Sequence, residues 1–250
     1  MILLLGGTSE SLAVADDLNA HHYSFVLSVT TDYGAELALK HAQNFCKQTL
    51  TPETFHHFFV ENHIKVIVDA THPFARVISQ TVIEAAKKEG IPYIRYERTG
   101  LLGQEEGLKL VRSTAEACQY LLKFQGNIYL STGSKTAPDY AKQLDVSRLH
   151  VRVLPTERVM KLLTDAGYQA NQIDAIQGPF SVELNVELFK HAQAVAVVTK
   201  ESGKQGGVQE KIQACRQLNI PCVVIKRPEI SYPKKVTEIA ALEKELEGLR

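Results

Sequence analysis

The chain has no tryptophan and only 2 methionines among its 250 residues, and none of its 4 cysteines stands in a C-x-x-C pair. Without such spacing, Cys46, Cys118, Cys215 and Cys222 suggest neither a disulfide framework nor a zinc site. They read as reduced, mostly buried small apolar residues. An excess of charge of either sign is also lacking: Lys+Arg and Asp+Glu both number 28. That balance excludes broad electrostatic attraction to nucleic acid or to an anionic membrane, so any anion site has to be built locally. Long apolar runs are missing as well. Ile2 to Leu5 follow Met1 and give way at once to polar sequence, too short for a signal-peptide core or a membrane span. A cytoplasmic location is the expectation. No low-complexity tract or coiled-coil heptad occurs.

What the chain does have is an apolar strand running into paired glycines, Ile2-Leu3-Leu4-Leu5-Gly6-Gly7-Thr8-Ser9-Glu10-Ser11. A parallel strand buried on both faces needs a continuous apolar run, and glycines let the chain turn and let a ligand approach the backbone. Thr8 or Ser9 can cap the following helix, whose free N–H groups and dipole then favour an anion. Ser9 and Ser11 stand where the dinucleotide fingerprint would place further glycines, so by itself the motif is equally a tight turn in any α/β domain.

Along the chain, short apolar runs alternate with amphipathic stretches, which predicts an α/β fold with mostly parallel sheets. Strands are expected at Ile2 to Leu5, Tyr23 to Val29, Lys65 to Asp69 and Tyr93 to Tyr96, then at Asn127 to Ser131, His150 to Leu154, Gln172 to Ile176, Ala194 to Thr199 and Cys222 to Ile225. Thr51-Pro52-Glu53 reads as a cap, a first-turn proline and a first-turn acid opening a helix. Another helix from about Phe74 stops at Gly90. The stretch Thr99 to Gly107 has no apolar period and reads as a connector, dividing the chain into lobes at 1–107 and 108–250. The second lobe restarts the pattern at Asn127-Ile128-Tyr129-Leu130-Ser131-Thr132-Gly133-Ser134-Lys135.

Ligands of open α/β sheets bind beyond the carboxyl ends of strands, and here those ends are rich in hydrogen-bond donors. They include Asp69-Ala70-Thr71-His72-Pro73-Phe74-Ala75-Arg76, Arg95-Tyr96-Glu97-Arg98, Thr132-Gly133-Ser134-Lys135 and Arg152-Val153-Leu154-Pro155. Gly178-Pro179-Phe180-Ser181 with Asn185, and Thr199-Lys200-Glu201-Ser202-Gly203 with Gly206, Gly207 and Lys211, complete the set. In this order and spacing, and together with the amino-terminal glycine turn, they resemble the precorrin-6A reductase family of corrin-ring biosynthesis, which includes the cobalt-precorrin-6A reductases. The resemblance spans nearly the whole chain. It implies two Rossmann-like lobes with a ligand cleft between them, and elements of the carboxy terminus are allowed to cross to the first sheet. It also implies hydride transfer from NADPH or NADH to a double bond of precorrin-6A or cobalt-precorrin-6A, and it allows transient contacts with neighbouring enzymes of that pathway.

A corrin precursor carries many carboxylates, so its site needs convergent cations over an apolar floor. Substrate candidates are Thr71, His72, Arg76, Arg95, Arg98, Ser134, Lys135, Arg152, Lys200, Ser202 and Lys204. Arg95, Arg98 and Arg152 rank first because a guanidinium pairs a carboxylate through two parallel bonds; each cation has a competing role in a surface ion pair. Gly6, Gly7, Thr8 and Ser9 are the pyrophosphate candidates. At the second strand's end Thr30 and Thr31 suit a 2′-phosphate, whereas Asp32 suits a free ribose hydroxyl. Proton delivery falls to His72, Ser134, Thr8 or bound water, and His72 equally serves to hold its turn. The pairs His21-His22 and His56-His57 lack metal-ligand geometry, so no bound metal is expected.

Two other classes compete. A two-lobe sensor would bind an anionic metabolite without turnover, but no signalling segment accompanies these lobes. A nucleotide-sugar reductase or epimerase would need tyrosine four residues before lysine, whereas Tyr140 is followed by Leu144 and Tyr120 by Phe124.

Overall fold

The structure is a computed structural model describing residues 1–98, 107–202 and 206–249. Of the expected connector only Gly107 is among them, and Gly203 and Lys204 lie outside. The chain divides into two compact units, Met1–Thr99 with Pro228–Arg250, and Gly100–Arg227. Among the described residues no helix is long and apolar enough to cross a membrane.

The first unit holds strands β1 (Ile2–Leu5), β2 (Phe25–Val29), β3 (Phe45–Lys47), β4 (Val66–Asp69) and β5 (Tyr93–Tyr96), joined by β12 (Lys235–Val236). They form one parallel sheet in the order β12-β5-β4-β1-β2-β3. The continuous apolar run of β1 is explained by cover on both faces. Ile2 and Leu4 pack with Val14 and Leu18 of helix α1 (Ser9–Ala20) and with Leu242 and Leu246 of α10 (Ile239–Glu247). Leu3 and Leu5 pack on the other side with Phe55, Phe58 and Phe59 of α3 (Pro52–Glu61) and Val82 of α4 (Arg76–Glu89). Full burial of each such side chain contributes about 1.5–3 kcal/mol. The expected helix punctuation is present: Thr51 precedes a helix with proline in its first turn, and Gly90 closes α4 in the left-handed conformation at φ +66°.

The second unit repeats the plan with β6 (Leu108–Val111), β7 (Asn127–Ser131), β8 (Leu149–Val153), β9 (Ile173–Ala175), β10 (Ala194–Lys200) and β11 (Cys222–Ile225) in the order β6-β11-β10-β7-β8-β9. Its helices include α5 (Thr114–Leu121), α6 (Ala137–Ala141), α7 (Glu157–Asp165), α8 (Val182–His191) and α9 (Val208–Gln217). Tyr129, Phe189, Val197, Ile212 and Val224 are at its core between the sheet and the pair α8 and α9.

In both sheets five neighbouring strands, β3-β2-β1-β4-β5 and β9-β8-β7-β10-β11, follow a doubly wound order, with the strand order reversing between β1 and β4 and between β7 and β10. The sixth position is filled out of sequence in each. β6 precedes the five other strands of its sheet, and β12 comes from the far end of the chain to pair with β5. Residues 228–250 thus complete the first unit, and the second unit ends at Arg227.

Candidate active site

In the first unit β1 delivers Gly6 and Gly7 to the reversal point of the sheet. A Cβ on Gly6 would lie 2.6 Å from Cδ1 of the buried Leu27 and 3.0 Å from Ser11 Oγ, so a side chain there would make both shift while glycine lets the turn pack closely on β2. Gly7 has a different reason. Its φ is +98° and a Cβ there would meet nothing within 4 Å, so the backbone presents open space. Thr8 caps α1: Ser11 N–H donates to Thr8 Oγ1 at 3.0 Å, and Thr8 N–H donates to Ser11 Oγ at 3.2 Å. Ser11 is fully buried. It stands where the dinucleotide fingerprint would have another glycine, and the reciprocal cap is the physical reason for a serine there. The turn thus has the glycine-bounded backbone and helix N-terminus that a pyrophosphate requires. Ser9 is exposed beside Gly7. Thr8 Oγ1 also donates to Ala70 O at 2.8 Å, fastening this turn to the loop that follows β4. That bond commits the Thr8 hydroxyl proton to the backbone of the loop.

The loop after β4 is organised by a buried carboxylate. Asp69 Oδ1 accepts from Thr71 N–H (3.0 Å), Thr71 Oγ1 (2.7 Å) and Arg95 Nη1 (2.9 Å), and Oδ2 accepts from Ser79 Oγ and Tyr93 Oη at 2.6 Å each. Burial opposes ionisation of Asp69, yet the Arg95 charge and these donors hold its pKa below the ordinary carboxylate value. Arg95 is 1% exposed. Its Nε and Nη2 donate to Glu97 Oε2, Nη2 also to Thr71 O, and Nη1 also to Thr71 Oγ1. Lys235 of β12 donates to the other oxygen of Glu97 at 2.9 Å, and Tyr232 lies against the Arg95 guanidinium. Arg95 and Thr71 are inside the protein with their donors spent on neighbours, an arrangement that shapes the loop.

The rest of that loop is accessible. His72 is exposed, and its Nδ1 accepts from Phe74 N–H at 3.2 Å, a turn-holding bond that puts the proton of the neutral ring on Nε2. Arg76 is exposed at the first residue of α4. Arg98 is exposed after β5; hydrogen bonding to Tyr96, outweighing some desolvation, and the charges of Glu10 and Glu238 raise its pKa. At the end of β2, Thr30 is exposed, and Thr31 caps α2 (Asp32–His41) by accepting from Gly34 N–H at 3.0 Å. Asp32 pairs with Lys47 of β3. One further cluster, Asp17, His21 and Glu243, brings ligand-type atoms within 4.8 Å of one another across α1 and α10. Glu243 comes from the far end of the chain, which is why histidine spacing gave no sign of it.

In the second unit a cavity of about 260 Å³ opens at the carboxyl ends of β7 and β8. Arg152 lines it, 8% exposed, with Nη1 donating to Asn185 Oδ1 (2.8 Å) and Nη2 to Ser131 Oγ (2.7 Å). Both acceptors are neutral. The Arg152 guanidinium also stands 4.8 Å from the centroid of the Phe180 ring. Burial lowers its pKa against the attraction of Tyr129 and Asp174, whereas two carboxylates sit on Arg95. Lys211 of α9 lines the same cavity, 7% exposed, donating to Gly206 O at 2.6 Å and Thr199 Oγ1 at 3.4 Å. Among the described residues no carboxylate belongs to the lining. Leu154, Ile176, Pro179 and Phe180 give it an apolar side, and Leu154 and Ile176 are 46% and 37% exposed.

Ser134 and Lys135 follow β7 on a turn made by Gly133 at φ +83°, and on the neighbouring β10 Lys200 is the last residue, with Ser202 just beyond it. Burial first, and Lys135 second, draw the Lys200 pKa below its ordinary value. Positive charge therefore accumulates at this sheet end, although these four residues do not line the cavity. Lys211, Ser131 and Asn185 had no assigned role in the sequence reading. A signal for Lys211 was present: Val208, Lys211, Ile212 and Cys215 make one buried helical stripe, and a lysine on such a stripe needs a reason.

A family model described as precorrin-6x reductase CbiJ/CobK matches residues 1–247. The chain is 39% identical over 237 residues to the cobalt-precorrin-6A reductase of Priestia megaterium, covering 93% of this chain and 92% of that protein. It is 34% identical over 229 residues to the cobalt-precorrin-6A reductase of Salmonella typhimurium, covering 91% and 87%. A solved structure described as CobK precorrin-6A reductase superposes with a TM-score of 0.80 at 22% identity, covering 99% of this chain and 96% of that one, which establishes the likeness of fold.

Proposed function

The chain belongs to the precorrin-6x reductase CbiJ/CobK family, and from that premise we propose that it reduces one double bond of cobalt-precorrin-6A in cobalamin biosynthesis. The cobalt-containing form is favoured because six relatives at 30–39% identity carry that name, whereas two named precorrin-6A reductase are at 26% and 28%. The observation that carries the reading is the cavity of the second unit, where Arg152 and Lys211 meet no carboxylate among the described lining residues and border an apolar lip. That combination suits a ligand with an apolar ring and an acidic rim.

A reduced nicotinamide supplies the hydride, and Gly6, Gly7, Thr8 and Ser9 would hold its pyrophosphate. NADPH is the preferred donor. No carboxylate occupies the end of β2, where a ribose-binding acid would stand; Thr30 is there, and Asp32 begins α2 and faces Lys47. The exposed Asp32–Lys47 pair is weakly held, which leaves Lys47 able to turn to a 2′-phosphate. Substrate contacts are assigned to Arg152, with Lys135, Lys200, Ser134 and Ser202 at the same sheet end and His72, Arg76 and Arg98 at the first. Proton delivery rests with His72, Ser134 or bound water.

Anaerobic incubation with cobalt-precorrin-6A and each reduced nicotinamide tests the function. A change in the tetrapyrrole spectrum matched mole for mole by cofactor oxidation, faster with NADPH, is expected; tetrapyrrole that fails to stimulate oxidation of either cofactor overturns the reading. Lys47→Ala is expected to raise the KM for NADPH about fivefold, on the order of 1 kcal/mol for an exposed charge contact, with that for NADH unchanged. Equal effects on both would remove Lys47 from 2′-phosphate recognition. Gly7→Val would place a branched side chain in the open approach and cost about 1–3 kcal/mol of backbone strain at this positive φ. Calorimetric affinities for NADPH and NADH should both drop, and unchanged values would move the pyrophosphate elsewhere.

A further inference from the structure

A corrin precursor cannot enter the cavity of the second unit whole. Its volume is about 260 Å³, below the roughly 300–1,000 Å³ of pockets that enclose drug-sized ligands, and a tetrapyrrole with its side chains is larger than those ligands. One acetate or propionate arm fits. Inside, two cationic side chains converge whose hydrogen-bond acceptors are all neutral, so a ligand carboxylate would give them a directly bonded counter-charge.

We propose that Arg152 and Lys211 form a socket for one peripheral carboxylate of the tetrapyrrole, and that Lys211 takes up a proton as that carboxylate enters. The inference rests on the tetrapyrrole reading for the identity of the ligand. The socket itself rests on the geometry. Arg152 is fixed from two sides by Asn185 on α8 and Ser131 on β7, with the Phe180 ring beside it, so its charge is already aimed when the ligand arrives.

Lys211 is placed differently. Arg152 faces it from β8, Thr199 from β10 and Cys222 from β11, and Glu210 stands beside it on its own helix. Glu210 Oε2 is buried and has no hydrogen-bond partner among the described residues. Burial and the Arg152 charge pull the Lys211 pKa down to about 7, and the opposing attractions of Cys222 and Glu210 do not restore it. At pH 8 most Lys211 side chains in the unliganded protein are thus neutral. An incoming carboxylate reverses the balance, because it offsets Arg152 and pairs with the ammonium. Binding then draws one proton from solution, and affinity declines as pH rises through the pKa of the unliganded Lys211 and levels off only above the higher value it has in the complex. Arg152 stays charged throughout, so it supplies the part of the affinity that does not depend on pH.

The test is calorimetric titration of the intact protein, without oxygen, in two buffers of different ionisation enthalpy. Cobalt-precorrin-6A is one probe. Inorganic sulfate, which does not itself titrate in this range, is the other. Wild type should take up close to one proton per cobalt-precorrin-6A at pH 8 and much less at pH 6. Lys211→Met should bind it with no such uptake and at least tenfold more weakly. Uptake by Lys211→Met equal to that of wild type, or no uptake by wild type with either probe, overturns the socket; the second result needs no variant to fold. Sulfate binding with Lys211-dependent uptake, in a protein that does not bind cobalt-precorrin-6A, would keep the socket and overturn the tetrapyrrole reading.

Discussion

Replacing Arg95 by Gln is expected to destabilise the protein by about 3–5 kcal/mol, the cost of stripping one partner from a buried ion pair. Arg95 and Asp69 are 1% and 0% exposed, and the guanidinium serves Asp69, Thr71 and Glu97 at once. Glutamine is too short to span them and carries no charge, so Asp69 would keep its hydroxyl donors and lose its counter-ion. The pH dependence has a definite sign. In wild type the Asp69 pKa is depressed in the folded state, so its contribution to stability is present above the unfolded value near 3.8 and is lost as pH falls through the lower folded value. Without Arg95, burial dominates, the folded pKa rises, and the loss with acid begins at higher pH. Urea unfolding of Arg95→Gln at pH 7 and pH 5 measures both effects. A variant within about 1 kcal/mol of wild type at both pH values, but deficient in tetrapyrrole binding, would return Arg95 to substrate recognition.

Arg95 and Arg152 also show how far residue type carries the argument. Each is an arginine near the end of a predicted strand, and nothing local in the sequence separates them. Register does. Arg95 is level with Asp69 on β4, and Asp69 has its carboxylate turned to it. Arg152 is level with Asp174 on β9, but the Asp174 carboxylate takes the hydroxyl of Tyr129, and the arginine is left to neutral partners. One therefore belongs to the core and the other to a cavity.

The same division runs through the fold. The glycine turn, the Thr51-Pro52-Glu53 helix start and the Gly90 stop were legible because each depends on neighbours in sequence. Strands β3, β6 and β12, of 3, 4 and 2 residues, were not, since edge strands this short carry little pattern and exist by pairing with remote partners. The sixth position of each sheet depends on such pairing. A return of the carboxy terminus could be allowed from the sequence, but its docking of Lys235 and Val236 against Arg95 and Tyr96 could not be read there.

Arg152→Gln is expected to weaken binding of cobalt-precorrin-6A by about 1.5–3 kcal/mol, roughly 10- to 150-fold, while leaving affinity for the nicotinamide and the stability of the fold close to wild type. The asymmetry follows from the partners. Arg95 balances buried carboxylates, so its loss strands charge in the core; Arg152 donates to Asn185 and Ser131, which have no charge to strand. Glutamine can still reach a neutral acceptor, but it offers a carboxylate no cation. Lysine should not rescue the site, because the planar guanidinium bridges Asn185 and Ser131 beside Phe180 and an ammonium cannot hold that geometry. A second consequence distinguishes recognition from a general packing defect. Arg152 is one of the charges that depress Lys211, so its removal should raise the Lys211 pKa and shift the decline of the remaining affinity to higher pH. Anaerobic absorbance titrations of wild type, Arg152→Gln and Arg152→Lys from pH 6 to pH 9 measure all of this. Native tetrapyrrole affinity in both variants would remove Arg152 from recognition, and equal losses of tetrapyrrole and nicotinamide affinity would mark it as a support of the second unit.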